Sequence, residues 1–88
     1  MNVTPNIAEA AKLITDPSRA AMLTALLDDR FYTASELAGF AGVKQQTASF
    51  HLAKLADADM VVSQKQGRHR YYRLKHSETA RILETLLL

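Results

Sequence analysis

The residue types with the most chemistry to offer stand in one stretch near the middle of the chain. From Gln45 to about Ala58, the recurrence of Ala48, Leu52, Leu55 and Ala56 predicts an amphipathic helix with those side chains inward. Gln46, Ser49, Phe50, Ala53 and Asp57 then project from the other face, with Gln45 and Thr47 in the first turn. A merely solvated face is normally charged and flexible. This one presents amides, hydroxyls and a phenyl ring, which are the groups that read base edges in a major groove. Glutamine pairs bidentately with adenine, hydroxyls bond bases or phosphates, and an aromatic ring lies on a thymine methyl. Lys44, just ahead of the helix, and Lys54, within it, are placed for phosphate. The plain alternative is a surface helix that happens to be rich in glutamine.

A second cluster follows in Gln66-Gly67-Arg68-His69-Arg70-Tyr71-Tyr72-Arg73. Met60 to Lys65 and His69 to Leu74 are short runs rich in Val and Tyr, and the glycine between them predicts a β-hairpin. Strand alternation sends Tyr72 and Leu74 to one face and His69, Tyr71 and Arg73 to the other. Arg70 shares the parity of Tyr72, so its stem is expected over the core edge with its head in solvent. Arg68, Arg70 and Arg73 are the expected contacts to a nucleic-acid backbone or minor groove. The alternative is that edge strands carry charge to avoid aggregation. Charge is unevenly spread in a way that favours the first reading. Residues 44 to 76 hold seven Lys and Arg against two Asp, net +5, whereas residues 1 to 43 are at −2 and residues 77 to 88 at −1.

These clusters need elements to hold them. Thr4-Pro5 is a cap followed by a first-turn proline, and Ile7, Ala10, Ala11 and Ile14 predict a helix to about Thr15. Asp16-Pro17 repeats the signal for a second helix, with Met22, Leu23, Leu26 and Leu27 inward and Asp28-Asp29-Arg30 as its end. Thr33 with Glu36 is a capping-box pattern that opens a short third helix, expected to carry Leu37, Phe40 and Ala41 inward and to stop at Gly42. Helical spacing returns with Ile82, Leu83, Leu86 and Leu87 after a cap expected at Ser77. That stripe is still running at Leu88, which fits a chain that continues or a short helix buried against a second subunit. The order is helix, helix, helix, helix, strand, strand, helix. It predicts a mainly α fold with a small β-hairpin, in one domain spanning residues 1–88, with a helix-turn-helix at its centre.

Composition removes several classes of function. With no cysteine, thiolate metal sites, cysteine nucleophiles and disulfides are absent from these 88 residues. No glycine-rich phosphate loop, paired histidines on one helix face or strand-turn-helix serine is present, so no catalytic residue is assigned and the chain is not read as an enzyme. His76 and Glu78 are too few for a zinc-like site, and no metal or cofactor is expected. His51 is read as a packing or phosphate-contacting residue. No leader pattern or apolar span appears, so the expected location is the cytoplasm, away from membranes.

At this point the chain resembles the ArsR family of bacterial winged helix-turn-helix regulators. The resemblance rests on Asp16-Pro17-Ser18-Arg19, Ser35-Glu36-Leu37-Ala38, Gly42-Val43, Thr47-Ala48-Ser49-x-His51-Leu52-x-Lys54-Leu55 and Gly67-Arg68-x-x-Tyr71-Tyr72-x-Leu74, spread over residues 13 to 75. It implies a homodimeric repressor that sets two recognition helices in successive major grooves of a near-palindromic double-stranded operator. The dimer would be built mainly from the terminal helices, with Ile7, Ala11, Ile14, Ile82, Leu83 and Leu86 at the matching positions. Two departures stand out. Lys44 replaces the Ser or Thr that often caps the recognition helix, and Phe50 replaces a polar residue, often His. The Cys-x-Cys pair of the family's metal sensors is also missing, since Glu36-Leu37-Ala38-Gly39-Phe40 occupies that stretch. No residue pattern names an inducer. The rival reading is a winged helix used as a protein-interaction module without operator specificity, which would require an apolar patch larger than Phe50 alone. RNA is a weaker rival, because a helix does not enter the narrow major groove of an RNA duplex.

Overall fold

A computed structural model describes residues 7–88, with the side chain of Ile7 also left outside that description; the Thr4-Pro5 helix start lies beyond it. The elements are α1 (Ile7–Leu13), α2 (Pro17–Leu26), β1 (Tyr32–Thr33), α3 (Ala34–Ala41), α4 (Gln45–Asp57), β2 (Val61–Gln66), β3 (His69–Leu74) and α5 (Ser77–Leu87).

Local chemistry sets most of the boundaries. The Asp16 carboxylate accepts from the amides of Ser18 and Arg19 at 2.8 and 3.0 Å, and Pro17 sits where a helix start has no use for an N–H. At α3 the capping box is complete: Thr33 Oγ1 accepts from the Glu36 amide, and Glu36 Oε1 accepts from the Thr33 amide at 2.9 Å. Gly42 ends α3 with φ 68°, a left-handed cap that lets its amide and that of Val43 reach back to the last-turn carbonyls. Only Val43 and Lys44 then separate α3 from α4, and this short turn makes the helix-turn-helix.

The hairpin closes through Gly67 and Arg68, with Gln66 opposite His69 and Gly67 at φ 63° in the first turn position. Strand β2 runs one residue later than the sequence reading, since Met60 precedes it and Gln66 belongs to it, whereas β3 has the expected bounds. A third strand, β1, pairs antiparallel with β3 through Tyr32 opposite Tyr72, giving the order β1-β3-β2. The core lies between this small sheet and the helices. Met22, Leu23, Leu26, Leu37, Leu52, Leu55, Met60 and Leu83 are wholly buried in it, and α5 packs across α2 and β3.

Several expectations are corrected. Phe40 is 57 % exposed and not inward; it lies in the last turn of α3, past the core edge, with its ring edge-on to Tyr32 at 5.6 Å. Ala56 is exposed, whereas Leu55 and Ala58 on either side of it are buried in the core. The first helix ends at Leu13, two residues early, and α5 is capped at His76 without a side-chain hydrogen bond. Leu83, expected at a subunit interface, is fully buried within its own chain and has no surface left for a second one.

Candidate nucleic-acid interface

Helix α4 buries Ala48, His51, Leu52 and Leu55 and turns Gln45, Gln46, Thr47, Ser49, Phe50 and Lys54 to solvent. Phe50 remains 60 % exposed, and Lys54 Nζ stands 5.3 Å from its ring centroid, a cation placed on the ring face. A large exposed aromatic is costly to leave in water unless something covers it. Lys44 takes the N-cap position in extended conformation (φ −71°, ψ 153°) and makes no side-chain cap, so the first-turn amides of α4 lack an acceptor from it.

The wing stands beside this helix. Ser35 of α3, Gln45 and Ser49 of α4, and Arg68, His69 and Arg70 of the wing border one shallow hollow of about 370 Å³. Arg70 keeps to the Tyr72 face, as strand parity requires, and donates from Nη1 to Ser63 Oγ at 2.9 Å, while its residue as a whole stays exposed. Arg68 is exposed at the turn.

Arg73 does not join this group. Its Nη1 lies 3.6 Å from Asp29 Oδ1 and its guanidinium 5.1 Å over the Phe31 ring, on the side of the sheet toward the end of α2. It borders a separate hollow with Leu26, Leu27, Lys75 and His76. Lys75 and His76 are themselves tied to the Asp59 carboxylate, which follows α4 in a left-handed conformation at φ 65°.

Ser35 and His69 are the residues the sequence reading left unassigned at this surface. Their signal was available, because Ser35 stands in the first turn after the Thr33 cap and His69 flanks the wing turn. Of the expected interface residues, Ala11, Ile14 and Ile82 are half-buried and Leu86 is 46 % exposed, with Leu88 beyond it at 82 %. Behind α4, Asp16 is held below its ordinary carboxylate value mainly by the Arg19 amide and further by that of Ser18, against an opposing effect of burial. The Tyr32 phenol is pushed up by its hydrogen bond to Asp28. Among the described residues, no three His, Asp or Glu side chains gather closely enough to hold a metal ion, and no helix is long and apolar enough to cross a membrane.

A helix-turn-helix domain family matches residues 14–64, more than half of the chain. The HTH-type transcriptional regulator CmtR of Mycobacterium tuberculosis is 35 % identical over 81 residues, covering 92 % of this chain and 68 % of CmtR. The chain belongs to the ArsR family. The HTH-type transcriptional regulator YdfF of Bacillus subtilis is 52 % identical over 83 residues, 94 % of this ArsR-type chain but 37 % of YdfF, so the chain spans little more than a third of that relative. In structure, the cadmium metal-sensor CMTR of M. tuberculosis superposes with a TM-score of 0.71 at 34 % identity, covering 91 % of this chain and 82 % of that one. The homodimeric winged helix-turn-helix domain Mb0332 of Mycobacterium bovis shares the fold at a TM-score of 0.80 and 24 % identity, over 91 % and 73 % of the two chains. This ArsR-type chain therefore has the winged helix-turn-helix fold, and its family is one of transcriptional regulators.

Proposed function

We propose that the chain is a homodimeric repressor that reads a double-stranded operator with α4 in the major groove and lays the wing on the backbone or minor groove. One observation carries this reading: α4 is locked into the core on one side while Gln45, Gln46, Thr47, Ser49 and Phe50 stand free on the other, beside Arg68 and Arg70. Gln45 and Gln46 suit adenine edges, Thr47 and Ser49 suit bases or phosphates, and Phe50 suits a thymine methyl. Lys44 and the unoccupied first-turn amides of α4 suit a phosphate, with Lys54 further along the strand. Arg73 is left out of the contact set, since Asp29 and Phe31 already engage it.

Dimer formation is supported by the apolar residues that a single chain leaves exposed, Leu86 on α5 and Leu88 just after it, with the half-buried Ile82, Ala11 and Ile14. Ile7 belongs to the same proposal by its position on α1. Cadmium is a property of the M. tuberculosis relative. It is a soft cation that favours thiolates, and these 88 residues contain none.

The test is Gln46→Ala assayed on a duplex that the protein has selected from a randomised library and on single-base variants of it. The reading predicts a loss of about 1–3 kcal/mol on the selected duplex and relaxed preference at one base pair. Equal losses on selected and scrambled DNA would overturn the base-reading role.

A further inference from the structure

Behind the reading face, one polar cluster crosses three elements. Arg19, in the first turn of α2, donates from Nε to the Leu13 carbonyl at the end of α1 at 2.7 Å and from Nη1 to His51 Nδ1 at 3.0 Å. Its own amide is held by Asp16 Oδ1 at 3.0 Å, and the same oxygen stands 3.9 Å from His51 Nε2. His51 is, with Thr79, one of two buried polar side chains among the described residues, at 9 % exposure, and lies on the core side of α4 with its ring 5.7 Å from that of Phe50.

We infer that Arg19 is a positioning residue for base reading, setting the roll of α4 against α1 and α2 through His51. The inference rests on the proposal that α4 reads the bases. A guanidinium only donates, so His51 Nδ1 must be the acceptor, and the ring is the neutral tautomer with its proton on Nε2, facing Asp16. The bond is directional, whereas the Ala48, Leu52 and Leu55 contacts around it are apolar and tolerate small rotations. A roll of about 10° moves a side-chain tip ~6 Å from the helix axis by about 1 Å, enough to misalign a bidentate glutamine. Arg19 also grips the last carbonyl of α1, so any shift of that helix reaches α4 through one side chain.

The experiment compares the affinity of the intact chain for its library-selected duplex with that for a scrambled duplex. Arg19→Met, which keeps the stem and removes the donors, is expected to lower the ratio about tenfold or more while changing affinity for scrambled DNA less than about twofold. His51→Leu should do the same, and the double variant should lose no more than either single one. His51→Asn, whose Oδ1 can accept from Arg19, should retain most of the ratio. Arg19→Lys, with one nitrogen for two partners, should fall between. The ring 15N shifts should show an unprotonated Nδ1. A role in stability alone would lower both affinities together and leave the ratio unchanged. A folded Arg19→Met protein with an unchanged ratio, additive losses in the double variant, or a proton on Nδ1 would overturn the inference. If Arg19→Met does not fold, the order His51→Asn above Arg19→Lys above His51→Leu decides it. A native protein that did not distinguish the two duplexes would refute base reading itself. The orientation of α4 in Arg19→Met, from residual dipolar couplings, would then decide the positioning role alone, with no change overturning it.

Discussion

Arg68→Ala isolates the electrostatic part of the interface. Arg68 follows Gly67 in the two-residue wing turn and is exposed, so truncating it removes no core contact and leaves the hairpin register intact. If its guanidinium neutralises one phosphate, each protomer loses one released counterion, and the slope of log K against log salt flattens by about 0.9 per protomer, or nearly 2 for a dimer. Between 50 and 200 mM salt, that amounts to roughly tenfold less loss of affinity than the unaltered protein suffers. The assay is fluorescence anisotropy on a scrambled duplex, because losing a phosphate contact weakens binding to all sequences alike. Lys44, Lys54, Arg68 and Arg70 are the exposed cations assigned to DNA, four per protomer, so a dimer should show a slope near −7. An Arg68→Ala slope equal to that of the unaltered protein would refute the placement of the wing on the backbone.

Three further outcomes follow from the geometry. Arg73→Ala should leave the salt slope unchanged and lower the melting temperature by a few degrees, because its partners are Asp29 and the Phe31 ring; a flattened slope would return it to the DNA surface. Gly42→Ala should cost about 1–2 kcal/mol, read as a lower Tm, since φ is 68° while a Cβ there meets no neighbour; a Tm within a degree of the unaltered protein's would show that the backbone relaxes freely. Asp16→Asn keeps an acceptor at the α2 cap but does not titrate. The Asp16 carboxyl is held below 3.8 in the folded chain, so its contribution is complete above that value and disappears as pH falls through the lower folded one. The melting-temperature difference between the unaltered protein and the Asp16→Asn variant should therefore shrink below pH 3.8, and parallel curves down to pH 2 would contradict it.

Much of this fold is legible in the sequence where the determinants are local. Asp16-Pro17, Thr33 with Glu36, and Gly42 each complete a hydrogen-bonding pattern within four residues, and the structure uses all three as the residue types require. The Gln-rich face of α4 is equally local, since helical spacing alone separates Gln46, Ser49 and Phe50 from Ala48 and Leu52. Distant partners explain the rest. Strand β1 is two residues long and exists because Tyr72 and Tyr71 offer it a ladder, which no alternation at Tyr32 announces. Periodicity places Phe40 on the same stripe as Leu37 but does not say that α3 extends beyond the core. Arg73 reads as one more wing cation until the fold brings Asp29 and Phe31 to it. Leu83 belongs to an apolar stripe wide enough to serve both the core and a partner, and only packing divides it, with Leu83 inside and Leu86 outside. The Arg19–His51 bond is of this kind too, since neither residue carries a local sign of the other.

Operator reading by α4 and the wing is open to direct test. Its most direct measurement is anisotropy of the purified protein with duplex DNA from upstream of its own gene and with a scrambled duplex, across a salt series. A preference of at least ~10³ for one sequence is expected, with steep salt dependence on both. Weak and equal binding to the two duplexes, persisting with duplexes drawn from a randomised library, would contradict it and leave the face around Phe50 to a protein partner.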